Sequence, residues 1–362
     1  MTVDSQVPAA ETGQETPIIE TVDVSKHFSV GHDGLGRSKT TLKAVDGVSL
    51  TIRRGQTLAL VGETGSGKTT FGRLLLGLYQ PTSGDIRYRG VSILNSRGET
   101  ARTVRRQVQG VFQDPYSSLN PTMTIGQALT EVLKVHHVVD RAHRAERVAE
   151  LLSTVGLSRA QAARRPHAFS GGERQRVGIA RALAVEPEVV IADEPLSALD
   201  VSIQAQVLNL MIRLQEERGL TYLFVTHDLD VARHISQRTA VLYLGRVVEQ
   251  APTEAIFADP LHPYTQALVR AAPRLTTHRK TVKPALTGDI PNAIERPSGC
   301  HFHPRCPMVM PVCREREPAL IQLPGNRAVT CHLHDPEVMA AQAHPAPGSP
   351  SGSGPSVPGA AG

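Results

Sequence analysis

The sequence predicts an α/β fold, and three apolar runs carry that prediction. "TLALV" (57–61), "EVVIAD" (188–193) and "LFVT" (223–226) read as short buried strands, each followed closely by a glycine or a polar residue. "KTTFGRLLLGL" comes soon after the first run with helical spacing, so strand, glycine-rich turn and helix follow in that order. In a parallel sheet of this kind the strand ends line one crevice, where such sheets hold their ligands.

The bulk properties narrow the setting. A chain of 362 residues can carry one large domain and a smaller one. Trp is absent and aromatic residues are few, so the core is expected to be Leu, Val, Ile and Ala. The net charge of +5 is spread along the chain, which is ordinary and gives no reason to expect a nucleic-acid partner. No run approaches the ~18 apolar residues of a membrane span. The start "MTVDSQVPAAETGQETP" lacks the basic and apolar stretches of a secretory signal. A cytosolic chain is expected, with any membrane contact made through a partner. Residues 1–17 and the tail 336–362 are expected to be disordered, the tail because its Pro/Gly/Ser-rich composition buries too little surface. Between them, residues 18–260 read as the main domain and 261–335 as an extension.

"GETGSGKTT" (62–70) satisfies G-x-x-x-x-G-K-[ST] with Gly62, Gly67, Lys68 and Thr69, between the strand and helix that the motif needs. Its glycines let the backbone of Glu63, Thr64, Gly65 and Ser66 curl so that successive amides face one concavity. The helix N-terminus beginning near Lys68, Thr69 and Thr70 adds its positive dipole end. Lys68 can reach β- and γ-phosphates, and the Thr69 hydroxyl suits Mg²⁺. The strand "EVVIAD" ends in Asp193, placed for the Mg²⁺ shell, and Glu194, placed to polarise an attacking water. His227 ends the third strand, where it could sense a γ-phosphate; on its own it also reads as a satisfied structural histidine. Gln113 in "FQDPYSSLNP" could touch Mg²⁺ or the lytic water, though locally it is a surface turn. "FSGGERQRVGIARAL" opens a helix with Ser170, Gly171, Gly172 and Glu173, a capping-box pattern whose free amides could also meet an anion.

In this order the motifs resemble those of an ATP-binding-cassette (ABC) ATPase, over roughly residues 18 to 335. The resemblance implies a P-loop nucleotide-binding domain with antiparallel β and α-helical subdomains, the helical one spanning about 113–170. It also implies ATP with Mg²⁺, a glutamine loop at Gln113, a signature turn at Ser170–Glu173 and a dimer loop with Ser197 and Asp200. In such a family two cassettes pair head to tail, and the signature turn serves the partner's nucleotide. Phe28 stands where the family carries a ring that stacks on adenine. The signature here has Glu173 where Gln is commonest and Phe169 where Leu is usual. The phrases "SALDVSIQAQVLNL" and "HPYTQALVRAAP" resemble importer ATPases for di- and oligopeptides, F-type subunit. Such subunits work beside a D-type ATPase, or a second copy of themselves, with two permeases and an external solute-binding protein. That implies a place at the cytoplasmic face of the membrane. An importer for nickel or another small solute shares every motif, and a non-transport ABC ATPase is the further alternative.

All four cysteines, Cys300, Cys306, Cys313 and Cys331, fall in the extension. A reducing cytosol argues against disulfides, and the spacing lacks the C-x₂-C of common zinc knuckles. Four thiols in a loop-rich module suit a [4Fe–4S] cluster, which the resemblance also implies; Zn²⁺, with nearby histidines, is the alternative.

Overall fold

The computed structural model describes residues 17–30, 40–94, 96–114, 119–271, 291 and 293–343. β1 (Ile19–Val30) and β2 (Thr40–Ile52) form a long antiparallel pair rich in β-branched residues. β3 (Thr57–Val61) leads through the glycine-rich turn into α1 (Lys68–Leu75). β4 (Ser83–Tyr88) and β5 (Val91–Ser92) then complete an antiparallel sheet of order β2-β1-β4-β5. Next come α2 (Gly98–Gln107), β6 (Val108–Val111), α3 (Ile125–Val135), α4 (Arg144–Thr154) and α5 (Gly171–Leu183). They are followed by β7 (Val189–Asp193), α6 (Val201–Arg218), β8 (Thr221–Thr226), α7 (Leu229–Ile235) and β9 (Arg238–Tyr243). The last elements are β10 (Arg246–Pro252), α8 (Thr253–Ala258), α9 (Pro263–Ala271), α10 (Val312–Glu315), β11 (Leu320–Leu323), β12 (Arg327–Thr330) and α11 (Pro336–Ala343).

The main sheet runs β11-β12-β10-β9-β3-β8-β7-β6. Pairing is parallel from β9 through β6 and antiparallel from β9 outward through β10, β12 and β11. Every residue of β3, β7 and β8 is buried, which is why these strands read as unbroken apolar runs and not as alternating ones. β3 lies between β9 and β8, so its C-terminal end opens at the middle of the sheet. The helical part sits where its apolar spacing puts it. Ile125, Leu129 and Leu133 of α3 pack with Val148, Leu151 and Leu152 of α4, in one core with Phe169 and Val177.

The extension is less separate than its composition suggests. β12 pairs with β10, and β11 with β12, so two of its strands continue the main sheet. Phe302 is only 1% exposed and packs against Tyr243 and Tyr264, with ring centroids at 5.3 and 5.4 Å. A single carboxylate ties the extension to the antiparallel sheet. Asp46 of β2 accepts from Arg246 Nε of β10 at 3.0 Å and from Arg296 Nη1 at 2.6 Å. Burial acts against the Asp46 charge, but the two guanidinium groups outweigh it and hold the carboxyl at about 2.

The tail differs from expectation over its first residues. "PEVMAAQA" is helical as α11, because its residues favour a helix and the Asp335 carboxylate accepts the Glu337 amide at 3.0 Å. Residues 1–16 and 344–362 lie outside the described residues.

Two stability effects follow. Phe302→Ala should cost about 3–5 kcal/mol in urea unfolding. Asp46→Asn should cost about 1 kcal/mol at pH 7 once solvent screening is allowed for. A carboxylate with a lowered folded pKa stabilises above its unfolded value of 3.8 and loses that contribution as pH falls through about 2. The gap between parent and Asp46→Asn should therefore narrow at pH 3, and an equal gap at both pH values would place its origin elsewhere.

Candidate active site

The turn after β3 is shaped by what crowds it. A Cβ on Gly62, whose φ is +157°, would stand 2.2 Å from the Leu242 carbonyl oxygen; one on Gly67 (φ +105°) would stand 2.2 Å from that of Ala44. α1 begins without a side-chain cap, leaving its first amides available to an anion. The Ser66 hydroxyl is buried and has no hydrogen-bond partner. A phosphate oxygen in the curl of the loop would satisfy such a group, so the loop fits the triphosphate it is expected to hold.

Lys68 is 4% exposed. Its Nζ donates to the carbonyls of Gly62 at 2.8 Å and Glu63 at 3.0 Å, and lies 4.0 Å from Glu194 Oε1. Burial lowers its pKa, while Glu194, Asp193 and Glu63 work to keep the charge. The Thr69 hydroxyl donates to Asp193 Oδ1 at 3.0 Å. Burial raises the Asp193 pKa against that hydrogen bond. A hydroxyl beside a carboxylate at the end of a parallel strand is a donor set of hard oxygens, and it fits Mg²⁺.

Glu194 has a φ of +45°, an uncommon backbone for a non-glycine residue. It is held by its own amide, which donates to the Val225 carbonyl at 3.0 Å, and by the Ser197 hydroxyl, which donates to its carbonyl at 3.0 Å. Glu194 Oε2 stands 3.4 Å from Nδ1 of the exposed His227. Around these groups lies a cleft of about 510 Å³, lined by Thr64, Gly65, Gly67, Lys68, Thr69, Thr70, Gln113, Glu194, Ser197 and His227. Residues from four separate stretches of sequence thus meet at the ends of β3, β6, β7 and β8.

Other expected residues stand elsewhere. Phe28 is not among the residues lining the cleft. Its ring packs edge-on against Tyr79 at 5.5 Å, and its cross-strand neighbour Leu42 lines the cleft with Lys43 and Ala44. Ser170 caps α5 in a complete capping box: it accepts the Glu173 amide at 3.3 Å, and its own amide donates to Glu173 Oε2 at 2.9 Å. Glu173, as the commoner Gln would, closes this cap. Gly172 is required by packing, since a Cβ there would stand 2.3 Å from Ile203 Cγ2 of α6. None of Ser170–Glu173 or Asp200 lines this chain's own cleft.

Three contributions carry no local signal in the sequence. The Tyr264 hydroxyl accepts the Glu63 amide at 2.9 Å, Arg305 grips the Glu63 carboxylate, and Ala293 of the extension lines the cleft wall.

The expectation of an iron–sulfur cluster or zinc finds no support in the geometry. Among the described residues no three His, Cys, Asp or Glu side chains stand so as to hold a metal ion. Burial pushes the thiols of Cys300 up to about 11 and Cys331 up to about 12, with neighbouring thiols adding to the rise. Cys306 is pushed the same way by burial, and Cys313 is itself buried. His303, His332 and His334 each set a ring nitrogen against a backbone carbonyl, at 3.0, 2.9 and 3.2 Å. The extension has four cysteines.

Comparison with known proteins agrees with this geometry. Residues 45–197 match the family model for ABC transporters, and residues 248–313 match that for the oligopeptide/dipeptide transporter C-terminal region. The chain is 49% identical over 325 residues to the oligopeptide transport ATP-binding protein AppF of Bacillus subtilis, covering 89% of this chain and 98% of that one. It is 43% identical over 325 residues to the dipeptide transport ATP-binding protein DppF of Escherichia coli, covering 90% and 97%. Among solved structures it resembles the dimeric post-hydrolysis state of the ATP-binding cassette MJ0796 bound to ADP and Pi. There the TM-score is 0.57 and the identity 29%, over 65% of this chain and 98% of that one. The chain belongs to the ABC transporter ATPases that carry the oligopeptide/dipeptide transporter C-terminal region.

Proposed function

We propose that this ATPase powers the import of di- and oligopeptides, working at the cytoplasmic face of the membrane on two permease subunits fed by an external solute-binding protein. The relatives' names and the matching C-terminal region support the peptide cargo. No helix of the described residues is long and apolar enough to cross a membrane, so in this reading the permeases provide the attachment. A groove of about 910 Å³ beside α3 and α4, bordered by Thr124, Gln127 and Lys134, offers the helical part a surface for them.

The convergence of Lys68, Thr69, Asp193, Glu194 and His227 on one cleft carries the catalytic reading. Lys68 meets the phosphates from a buried position that strengthens its field. Thr69 and Asp193 would hold Mg²⁺, which neutralises phosphate charge when bound. Glu194 orients a water and takes its proton at the carboxylate, and His227 at 3.4 Å steadies that carboxylate. The Ser170–Glu173 turn, with Ser170 and Gly171 exposed and all four residues outside its own cleft, suits the nucleotide of a second cassette facing it. That partner is a D-type ATPase or another copy of this chain.

Lys68→Ala in the assembled transporter should abolish ATP binding at this cleft and stop peptide uptake into vesicles. Glu194→Gln should keep ATP binding but lower steady turnover by about 100-fold or more. Size-exclusion chromatography with ATP should then show Glu194→Gln cassettes paired. Unchanged turnover by Glu194→Gln would remove it from the reaction.

A further inference from the structure

Glu63, the second residue of the phosphate loop, is held from outside the loop. Arg305 grips its carboxylate with both terminal nitrogens, Nη1 to Oε2 at 2.7 Å and Nη2 to Oε1 at 2.9 Å. The Arg305 side chain is only 4% exposed and that of Glu63 23%, so the guanidinium is buried while the carboxylate keeps one side toward water. The same Glu63 presents its amide to the Tyr264 hydroxyl at 2.9 Å, and its carbonyl accepts Lys68 Nζ at 3.0 Å. One loop residue therefore joins the lysine expected to meet the phosphates to two anchors, 201 and 242 positions away.

The mount beneath Arg305 is rigid. Its amide donates to the Phe302 carbonyl at 3.0 Å, and Phe302 is wedged between Tyr243 and Tyr264. Cys300 and Cys313 close the same segment, the Cys300 amide donating to the Cys313 carbonyl at 2.8 Å. A carboxylate beside an anion-binding loop opposes the anion unless a cation stands against it, and here Arg305 is that cation.

We infer that Arg305 is a positioning residue for nucleotide binding. It neutralises Glu63 and fixes the phosphate loop, which makes the C-terminal extension a working part of the ATP site. This rests on the loop being the triphosphate site. ATP should feel the loss of Arg305 more than ADP, because the former brings more charge toward Glu63.

The test is calorimetric titration of the full chain with Mg-ATP and Mg-ADP, with thermal melting to confirm folding. Arg305→Gln should weaken ATP by about tenfold and ADP by less. Glu63→Gln with Arg305→Gln should recover most of the loss, to within about threefold of the parent, because no carboxylate is left unpaired. A structural role alone would leave the double variant as weak as the single one, and that result overturns the inference. ATP binding by Arg305→Gln within about twofold of the parent also overturns it. If Arg305→Gln does not fold, Arg305→Lys keeps the charge but loses the second prong. It should weaken ATP by about threefold, no change being the overturning result. Lys68→Ala separates the two claims: if it binds ATP as the parent does, the loop is not the site and both fall.

Discussion

Lys68 carries an ammonium into a place that water barely reaches, and much of the molecule is arranged to keep it charged there. Two carbonyls of the loop accept its protons, and Glu194 stands at the limit of an ion pair. Burial lowers the Lys68 pKa, and the acceptors and acids around it favour the charged form. The geometry that provides those carbonyls needs two glycines pressed against Leu242 and Ala44, hence a loop wedged between β9 and β2. From this one requirement follow the position of β3 at the centre of the sheet and the closeness of the antiparallel sheet to the cleft.

The acids arrive by a different route. Asp193 ends β7 with Glu194 next to it, and His227 follows β8, both strands running parallel to β3. Parallel pairing brings the C-terminal ends together without any contact between the side chains having to direct it. The left-handed backbone at Glu194 is costly in isolation and is sustained by the Val225 carbonyl and Ser197. Strain at the residue expected to orient water is consistent with a site that exchanges stability for geometry.

The extension changes meaning once its strands are seen. Read by composition it is a loop-rich module around four cysteines; in the fold it is the outer part of the main sheet, wedged in place by Phe302 and pinned by Asp46. Two of its four cysteines, Cys313 and Cys331, are buried, and its arginines do the connecting. Arg296 reaches the Lys43 carbonyl and Asp46, and Arg305 reaches the phosphate loop. The signature turn shows the opposite relation, since Ser170 and Glu173 satisfy one another locally and leave the turn clear of its own cleft.

What the amino-acid order determined by itself was everything held within a few positions of chain. Strand, glycine turn and helix at 57–75, the acids closing β7, the capping box at Ser170 and the apolar spacing of α3 and α4 are all short-range patterns. Local backbone chemistry and periodicity suffice to read them. By composition the start of the tail is expected to be disordered, because the Pro/Gly/Ser-rich character of the end outweighs the helix formers in "PEVMAAQA". Only the tertiary structure decided the rest. Phe28 is not among the residues lining the cleft, and its ring packs edge-on against Tyr79, in the segment between α1 and β4. Among the described residues no group of His, Cys, Asp or Glu side chains stands so as to hold a metal ion, and sequence spacing does not specify side-chain directions of that kind. The grip of Arg305 on Glu63 joins residues 242 positions apart, and no pattern of neighbours encodes a contact made by the closing of a sheet.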